Sequence, residues 1–549
     1  MSVPDSPGNN PAQPAWTLAS AFTVVLLAGA ATVLRFLFLA RKPFWFDEAF
    51  SVEIALLSWH DFARLLWWRE ANMSLYYVLL RGWLHFGSSP FFIRSLSVLA
   101  SLATLPAIFW LSCKLFDRRV GLIAVALLSC NAYHIRYAQE ARSYSLFVLL
   151  ATLSSGFFVA ALREPTPSRR SLWGYVLTSV LAVYAHFYAL LLIASQWLSA
   201  QGFKRAHGPE SLSALSSAMR RAWIWIGLAV LPLLAFVAKT GAGQIRWIQR
   251  PGVHDLLDYW EHLAGNDGLP LALLGTAARL GAILPLGGRL FRRAASRDVW
   301  RVQFLLIWMI FPVALALLLS MARPLFLARY FAFCLPALII LAAAGLASLR
   351  KAWMTGVCLA VMLLLSLQGT LSYYDHDFDL ERDGSEAAAN YIYDHAQPGD
   401  AILFHIAEGR VPYEFVGSLR RTTDAHSSSA LGPTIIFPRH GDHLDYRDVT
   451  GKPSSEFMHS VPETYARVWV VLMSNGAPDR PDATTLMLNQ AFGESFPQMQ
   501  RLQFPQVEVR LYSKPSPVAP KSTEPPPRYG AEEALGWERL RRITWAGPG

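Results

Sequence analysis

Charge is scarce in this chain. Only 16% of its 549 residues are Asp, Glu, Lys or Arg, against 53% that are hydrophobic. Soluble domains carry roughly a quarter charged residues, so an ordinary soluble protein of this size is excluded. Cysteine is scarcer still. Cys113, Cys130, Cys334 and Cys358 all fall inside apolar runs, with no CxxC and no metal-ligand spacing. A disulfide scaffold is thereby ruled out, and the four read as buried helix fillers. The P-loop is missing, which argues against an ATP-driven pump, and there is neither an HExxH nor an EF-hand loop. What is abundant is aromatic surface, 19 Trp among 13% aromatics, and a net charge of +10. In so apolar a chain a basic excess points to membrane topology, not to nucleic acid.

Residues 1–15 are polar and rich in Pro and Asn, and read as a disordered tail. The run 16–40 is longer than a signal-peptide core and lacks a basic segment before it, so a retained first transmembrane helix is predicted. Further apolar runs lie near 91–116, 120–135, 144–162, 172–185, 187–201, 222–238, 269–288, 302–320, 330–349 and 353–371. The predicted fold is thus a polytopic α-helical membrane protein of about eleven spans, occupying 16–372. Within 41–90, apolar residues at helical spacing over 47–66 and 73–86 predict helices lying in the interface plane. Residues 373–514 alternate helix and strand signals: a helix over 384–396, a strand within 397–405, an apolar strand at 467–475, a helix at 483–492 and a last strand over 503–513. A small α/β domain follows from that pattern. From 515 to 549 the chain is Pro-rich and reads as disordered.

The net charge divides along the same boundary. Residues 372–549 hold 17 Lys+Arg and 24 Asp+Glu, a balance of −7, which leaves +17 on the apolar part. Arg118 and Arg119, then Arg163, Arg169 and Arg170, then Lys204, Arg205, Arg220 and Arg221, cluster in alternate short loops, as do five arginines over 289–301, then Arg350 and Lys351. The positive-inside bias makes these loops cytoplasmic and puts the C-terminal domain on the outer face of the membrane.

Ionisable residues left at the outer ends of spans are functional candidates by default. Asp47 and Glu48 follow the first span, behind the aromatic run Phe44-Trp45-Phe46. A helix start would use Asp47 as its cap and Glu48 in its first turn. A second cluster, from Tyr133 to Tyr144, holds Arg136, Tyr137, Glu140 and Arg142. Its arginines suit a phosphate, while an Arg–Glu pair closing a hairpin suits Glu140 equally well. His186 lies at the outer turn of the fifth and sixth spans, Arg329 and Tyr330 just outside the tenth, and Arg94 at the outer start of the second. A packed histidine and snorkelling arginines are the bland readings of these. Acidic and cationic groups at membrane level suit group transfer from a phosphate-bearing lipid: a carboxylate deprotonates the incoming hydroxyl and fixed cations stabilise the departing phosphate. A divalent metal at Asp47, Glu48 or Glu140 stays open. In the C-terminal domain His405, His426, His440, His443 and His459 match no metal spacing and read as surface-loop residues.

These landmarks, in order, resemble the GT-C glycosyltransferases, in particular the bacterial group similar to protein O-mannosyltransferases and aminoarabinose transferases. Asp47-Glu48 matches the acidic pair of that group's first outer loop. Leu75-Tyr76-Tyr77-Val78-Leu79-Leu80 matches its Leu-Tyr-Tyr stretch, and Phe86-Gly87-Ser88-Ser89 with Arg94 its small-residue turn and Arg-led second span. Residues 139–144 and 328–330 resemble further family elements, over about 15–372 in all. One departure is Asn72-Met73-Ser74, where many relatives carry a proline pair. The resemblance implies inverting transfer of a sugar from a polyprenyl-phosphate donor to an acceptor hydroxyl, with Asp47 as base and Glu48 beside it. It implies that Arg142, Arg329 and Arg94 hold the donor phosphate and that Glu140, Tyr137, Tyr144, His186 and Tyr330 line the pocket. The implied partners are the lipid-linked donor, a lipid, glycan or protein acceptor, and the bilayer. The rival reading is a transporter or flippase for a lipid-linked sugar, which would show mid-membrane ionisable groups and paired repeats.

Overall fold

The structure is a computed structural model that describes residues 18–515 apart from 165, 208–212, 241–247, 249, 266–267, 292–295, 376–383, 424–431, 439–450, 474–475 and 478–479. The predicted tails, 1–15 and all but the first residue of 515–549, lie outside the described residues, as do His426, His440 and His443. Helix α1 (Leu18–Phe36) is followed by three short helices, α2 (Phe46–Leu56), α3 (Trp59–Trp68) and α4 (Ser74–Trp83). Next come α5 (Pro90–Leu115), α6 (Arg118–Ser129), α7 (Ala132–Ala138), α8 (Tyr144–Arg163), α9 (Arg169–Ala185), α10 (Ala189–His207) and α11 (Ser213–Thr240). The helical part closes with α12 (Val253–Ala264), α13 (Gly268–Phe291), α14 (Ser296–Ser320), a 3-10 turn (Ala328–Cys334), α15 (Leu335–Ala347) and α16 (Ala352–Asp375).

Each predicted apolar run contains a helix among the described residues. Among the described residues six helices are long and apolar enough to cross a membrane, or seven if α6 and α7, bent by 64°, form one span. Other apolar helices, such as Phe22–Phe36 and Ala189–Phe203, are shorter. The run predicted over 120–135 breaks because the Asn131 side chain accepts a hydrogen bond from His134 N at 2.9 Å and starts a new helix. The run 47–66 splits for the same reason, Ser58 capping α3 through Asp61 N. The predicted cap at Asp47 is corrected: α2 begins at Phe46 with Trp45 as its cap residue, so Asp47 and Glu48 occupy the first turn. Helices α13 and α15 meet backbone to backbone. A Cβ on Gly345 would lie 1.8 Å from Ala277 O, and one on Gly281 2.2 Å from Leu341 O, the close approach that small residues allow between apolar helices.

The C-terminal domain contains α17 (Ser385–His395), β1 (Ala401–Phe404), α18 (Arg410–Thr423), β2 (Thr434–Phe437), α19 (Ser455–Thr464) and β3 (Arg467–Met473). A two-residue ladder of β4 (Gly476–Ala477) and β5 (Arg480–Pro481) precedes α20 (Ala483–Gly493), β6 (Gln498–Phe504) and β7 (Val507–Ser513). The sheet runs β2-β1-β3-β7-β6; β1 is parallel to β2 and β3, while β7 is antiparallel to β3 and β6. The single last strand predicted over 503–513 is a hairpin turning at Gln506, whose φ is 57°. Its first strand is a largely exposed, polar edge, which is why no apolar pattern announced it. Strands β1 and β3 are apolar, Arg467 aside, because both their faces are covered, whereas β7, also internal, carries the buried ion pair Glu508–Arg510. Ile402, Phe404, Trp469 and Val471 face one cluster with Tyr413 and Val416 of α18, whereas Leu403, Val468 and Val470 face another with Met458 and Leu488. His405, predicted at the surface, is buried at the end of β1, its Nε2 2.8 Å from Asp482 Oδ1.

The domain packs on the segment that leads into α2. Phe415 of α18 stacks on Phe44 with ring centroids 4.4 Å apart. The Glu386 carboxylate accepts from Phe44 N, and Lys42 Nζ donates to Tyr373 O. Ala407 and Val411 are buried in the same apolar cluster as α2 and α4.

Candidate active site

The site begins with a buried ion pair that fixes the connection between α1 and α2. Ser89 caps α5 and Pro90 opens it, placing Arg94 in the next turn. A guanidinium has five N–H groups, and all five have partners here. Nε and Nη2 donate to the two Glu48 oxygens at 2.9 and 2.7 Å. Nη1 donates to Leu39 O and Lys42 O, and Nη2 also to Pro43 O, at 2.8, 2.9 and 3.0 Å. Glu48 Oε1 accepts once more, from Ala141 N at 2.7 Å. Arg94 and Glu48, set by the resemblance on phosphate and beside the base, therefore face each other and tie loop 39–43 and the turn before α8 to the head of α2.

Asp47, held by that arrangement, faces two other arginines. Its Oδ2 is 3.5 Å from Arg142 Nη2 and 3.9 Å from Arg329 Nη2. Arg142 also donates from Nη1 to Asp47 O and Ser51 Oγ, both at 3.2 Å. Arg329 enters from the 3-10 turn and lies 5.6 Å over the Trp45 ring. Around these cations stands an aromatic wall. His186 stacks on Phe147 at 5.2 Å and lies 4.8 Å from Tyr330 and 6.2 Å from Tyr144; Tyr137 is 4.9 Å from Tyr144. At the turn between α9 and α10, burial first and then Arg142 and Arg329 hold the His186 imidazole neutral, down to about 3. The Tyr144 hydroxyl and His186 Nε2 are fully buried with no hydrogen-bond partner among the described residues, although buried polar groups are nearly always paired. Glu140 instead meets Arg136, 3.5 Å away across one helical turn.

Two acidic residues that sequence reasoning passed over belong to this constellation. Glu70, between α3 and α4, is pushed up to about 7 by burial and by Asp47, with Arg142 opposing. Its signal was available: an ionisable residue within the segment 41–90 expected to lie outside, five positions before Leu75. Glu408, in a 3-10 turn of the C-terminal domain (Ala407–Gly409), is likewise raised to about 7, by burial and then by Asp47. No sequence signal marks it, because only the docking of the domain brings it near Asp47. Among the described residues no three His, Cys, Asp or Glu side chains are grouped to hold a metal ion.

No family model and no curated protein matches this sequence. The fold does have solved counterparts. A crystal structure of ArnT from Cupriavidus metallidurans in the apo state superposes with a TM-score of 0.56 at 13% identity. A second, bound to undecaprenyl phosphate, gives 0.57 at 14%. Each comparison covers 91% of this chain and 100% of the other. The chain has the GT-C fold. Because residues 15–372 fall well short of that 91%, the likeness extends past the helical part into the C-terminal domain. The GT-C architecture thus accounts for the helical membrane module and for the small C-terminal sheet together.

Proposed function

We propose that this protein is an inverting glycosyltransferase, which moves a sugar from a polyprenyl-phosphate donor to an acceptor hydroxyl at the outer face of the inner membrane. The observation that carries the reading is the opposition of Asp47 to Arg142 and Arg329 at 3.5 and 3.9 Å, backed by the unpartnered Tyr144 hydroxyl and His186 Nε2. A carboxylate facing two cations, with further buried polar atoms behind, suits a base beside a phosphate cradle. The structural counterpart bound to undecaprenyl phosphate lends the donor class support. Sidedness rests on the chain path: the site draws on connections after α1, α7, α9 and α14, whereas Arg118–Arg119, Arg169–Arg170 and Arg350–Lys351 lie on the alternate connections.

In this mechanism the acceptor oxygen attacks the anomeric carbon from the face opposite the phosphate. Asp47 takes the hydroxyl proton as the new C–O bond forms. The bond from the anomeric carbon to the phosphate oxygen breaks, its electron pair leaving with polyprenyl phosphate. Arg142 and Arg329 meet the growing charge on that oxygen, and bidentate guanidinium geometry suits phosphate. A single displacement inverts the anomeric centre. Arg94 and Glu48 keep Asp47 aimed without touching substrate. The test is reconstitution in liposomes with polyprenyl-phosphate mannose, galacturonic acid and aminoarabinose in turn, with mass spectrometry of envelope glycans from cells with and without the gene. The expected result is a lipid-linked sugar that accumulates when the gene is deleted and transfer that stops with Asp47→Asn. Full transfer by Asp47→Asn would remove the assigned base.

A further inference from the structure

The loop that carries Glu408 occupies a particular place in the C-terminal sheet. After β1 the chain turns to the face covered by α18; after β3 it turns to the opposite face, covered by α20. Adjacent parallel strands whose connections leave to opposite sides open a crevice at their carboxyl ends, and open α/β sheets bind ligands there. Here that edge holds His405, the 3-10 turn with Glu408, and Met473. Gly409 keeps the turn against β3, since a Cβ on it would lie 3.2 Å from Met473 Sδ. The edge does not face solvent alone. Ala407 and Val411, on either side of Glu408, are 0% and 2% exposed within the apolar cluster of the helical module. The Phe44–Phe415 stack and the Glu386 bond to Phe44 N fix the same contact three residues before Asp47.

Resting on the donor reading above, we propose that Glu408 is an acceptor-binding residue: the strand-end crevice of the C-terminal domain and the head of α2 form one pocket, in which a neutral, hydroxyl-bearing acceptor lies between Glu408 and Asp47. The chemistry of the two sides favours this assignment. The cations of the site, Arg142 and Arg329, meet Asp47 beside Tyr144 and His186. Glu408 adds a carboxyl group that acts with Asp47, on an approach that would repel a phosphorylated acceptor. Burial and Asp47 leave Glu408 partly protonated near neutrality, so it can both donate to and accept from a hydroxyl. His405, at the same strand end, has its Nδ1 buried without a hydrogen-bond partner among the described residues. With Nε2 on Asp482, that nitrogen accepts, which again suits a hydroxyl.

The experiment uses the full-length protein in nanodiscs, with undecaprenyl phosphate as the donor-side probe followed by native mass spectrometry. Transfer is followed in deletion cells carrying each variant, by the envelope glycan that deletion removes. Glu408→Ala and Glu408→Gln are expected to bind undecaprenyl phosphate within twofold of wild type, while Arg329→Ala binds at least tenfold more weakly. In cells Glu408→Ala should lower product at least tenfold with accumulation of the lipid-linked sugar. Glu408→Gln, which keeps a neutral hydrogen-bonding group, should restore more than half. Wild-type transfer by Glu408→Ala would overturn the assignment, and so would loss of undecaprenyl phosphate binding in that variant or a Gln variant as inactive as Ala. A wild-type protein that ignores undecaprenyl phosphate would instead bring down the donor reading itself.

Discussion

Replacing Glu48 by Gln is the sharpest test of how the site is held. The carboxylate receives three hydrogen bonds, two from Arg94 at 2.9 and 2.7 Å and one from Ala141 N at 2.7 Å, and is 0% exposed. A carboxamide has the same shape, yet whichever way it is turned its NH2 points at a donor. Arg94, 1% exposed, keeps its charge and loses the carboxylate it is paired with in two hydrogen bonds. Breaking a buried pair from one side costs about 3–5 kcal/mol. Replacing both partners removes the unpaired charge but still orphans Leu39 O, Lys42 O, Pro43 O and Ala141 N, so the double variant Glu48→Met/Arg94→Met should lose less stability than the sum of its singles, with coupling of about 2 kcal/mol or more. The assay is denaturant unfolding of the purified chain in mixed micelles, read by circular dichroism, for the two singles and the double. Sugar transfer measured alongside should fall by about 100-fold in Glu48→Gln, the effect of misplacing a reacting group by about 1 Å. Single variants that each lose less than 1 kcal/mol, or a strictly additive double, would refute the account of loop 39–43 as tied down by this pair.

Other expectations follow from the same geometry. Arg142→Ala and Arg329→Ala should each weaken undecaprenyl phosphate binding by about 10- to 100-fold, the equivalent of one charge-assisted hydrogen bond; unchanged affinity in both, by native mass spectrometry, would take the phosphate elsewhere. Glu70 is raised from 4.5 to about 7 in the folded protein, so its contribution to stability is complete below pH 4.5 and is lost as pH rises through about 7. Wild-type thermal stability should therefore fall between pH 5 and pH 8 relative to Glu70→Gln, and parallel curves for the two would contradict the buried placement. Gly345→Ala drives a Cβ into Ala277 O. It should cost about 1–3 kcal/mol or more through forced separation of α13 and α15, seen as a lower unfolding midpoint with substrate affinity unaltered.

The helical runs were legible because a bilayer demands unbroken apolar stretches, and the central strands because a doubly covered sheet demands the same at shorter length. What escaped was decided by single side chains. Asn131 and Ser58 break runs that hydropathy alone reads as continuous, since one capping bond outweighs a uniform apolar background locally. The polar edge strand 498–504 carries no alternation to detect. Around the site, residue types at span ends singled out Asp47, Arg142, Arg329, Tyr144, His186 and Tyr330, all of which come together. The same rule could not say which charges face each other, so it did not show that Arg94, set by the resemblance on the donor phosphate, is bound to Glu48. Glu408 lay beyond any local signal, because its neighbourhood is made by two modules meeting.

That meeting sets an order of events during biosynthesis. The loop bearing Asp47 is made within the first fifty residues, whereas Glu386, Phe415 and the strand end beside Glu408 are made more than three hundred residues later. At about 5–20 residues per second, the loop waits roughly 20–70 seconds for the surface it packs against. Until then the chain can cross the bilayer and bundle its helices, but Phe44 lacks its stacking partner. A ribosome stalled or a chain cut before residue 386 would leave an inserted protein whose acidic loop lacks the surface it packs on, so the site is assembled only after Glu386 and Phe415 have been made.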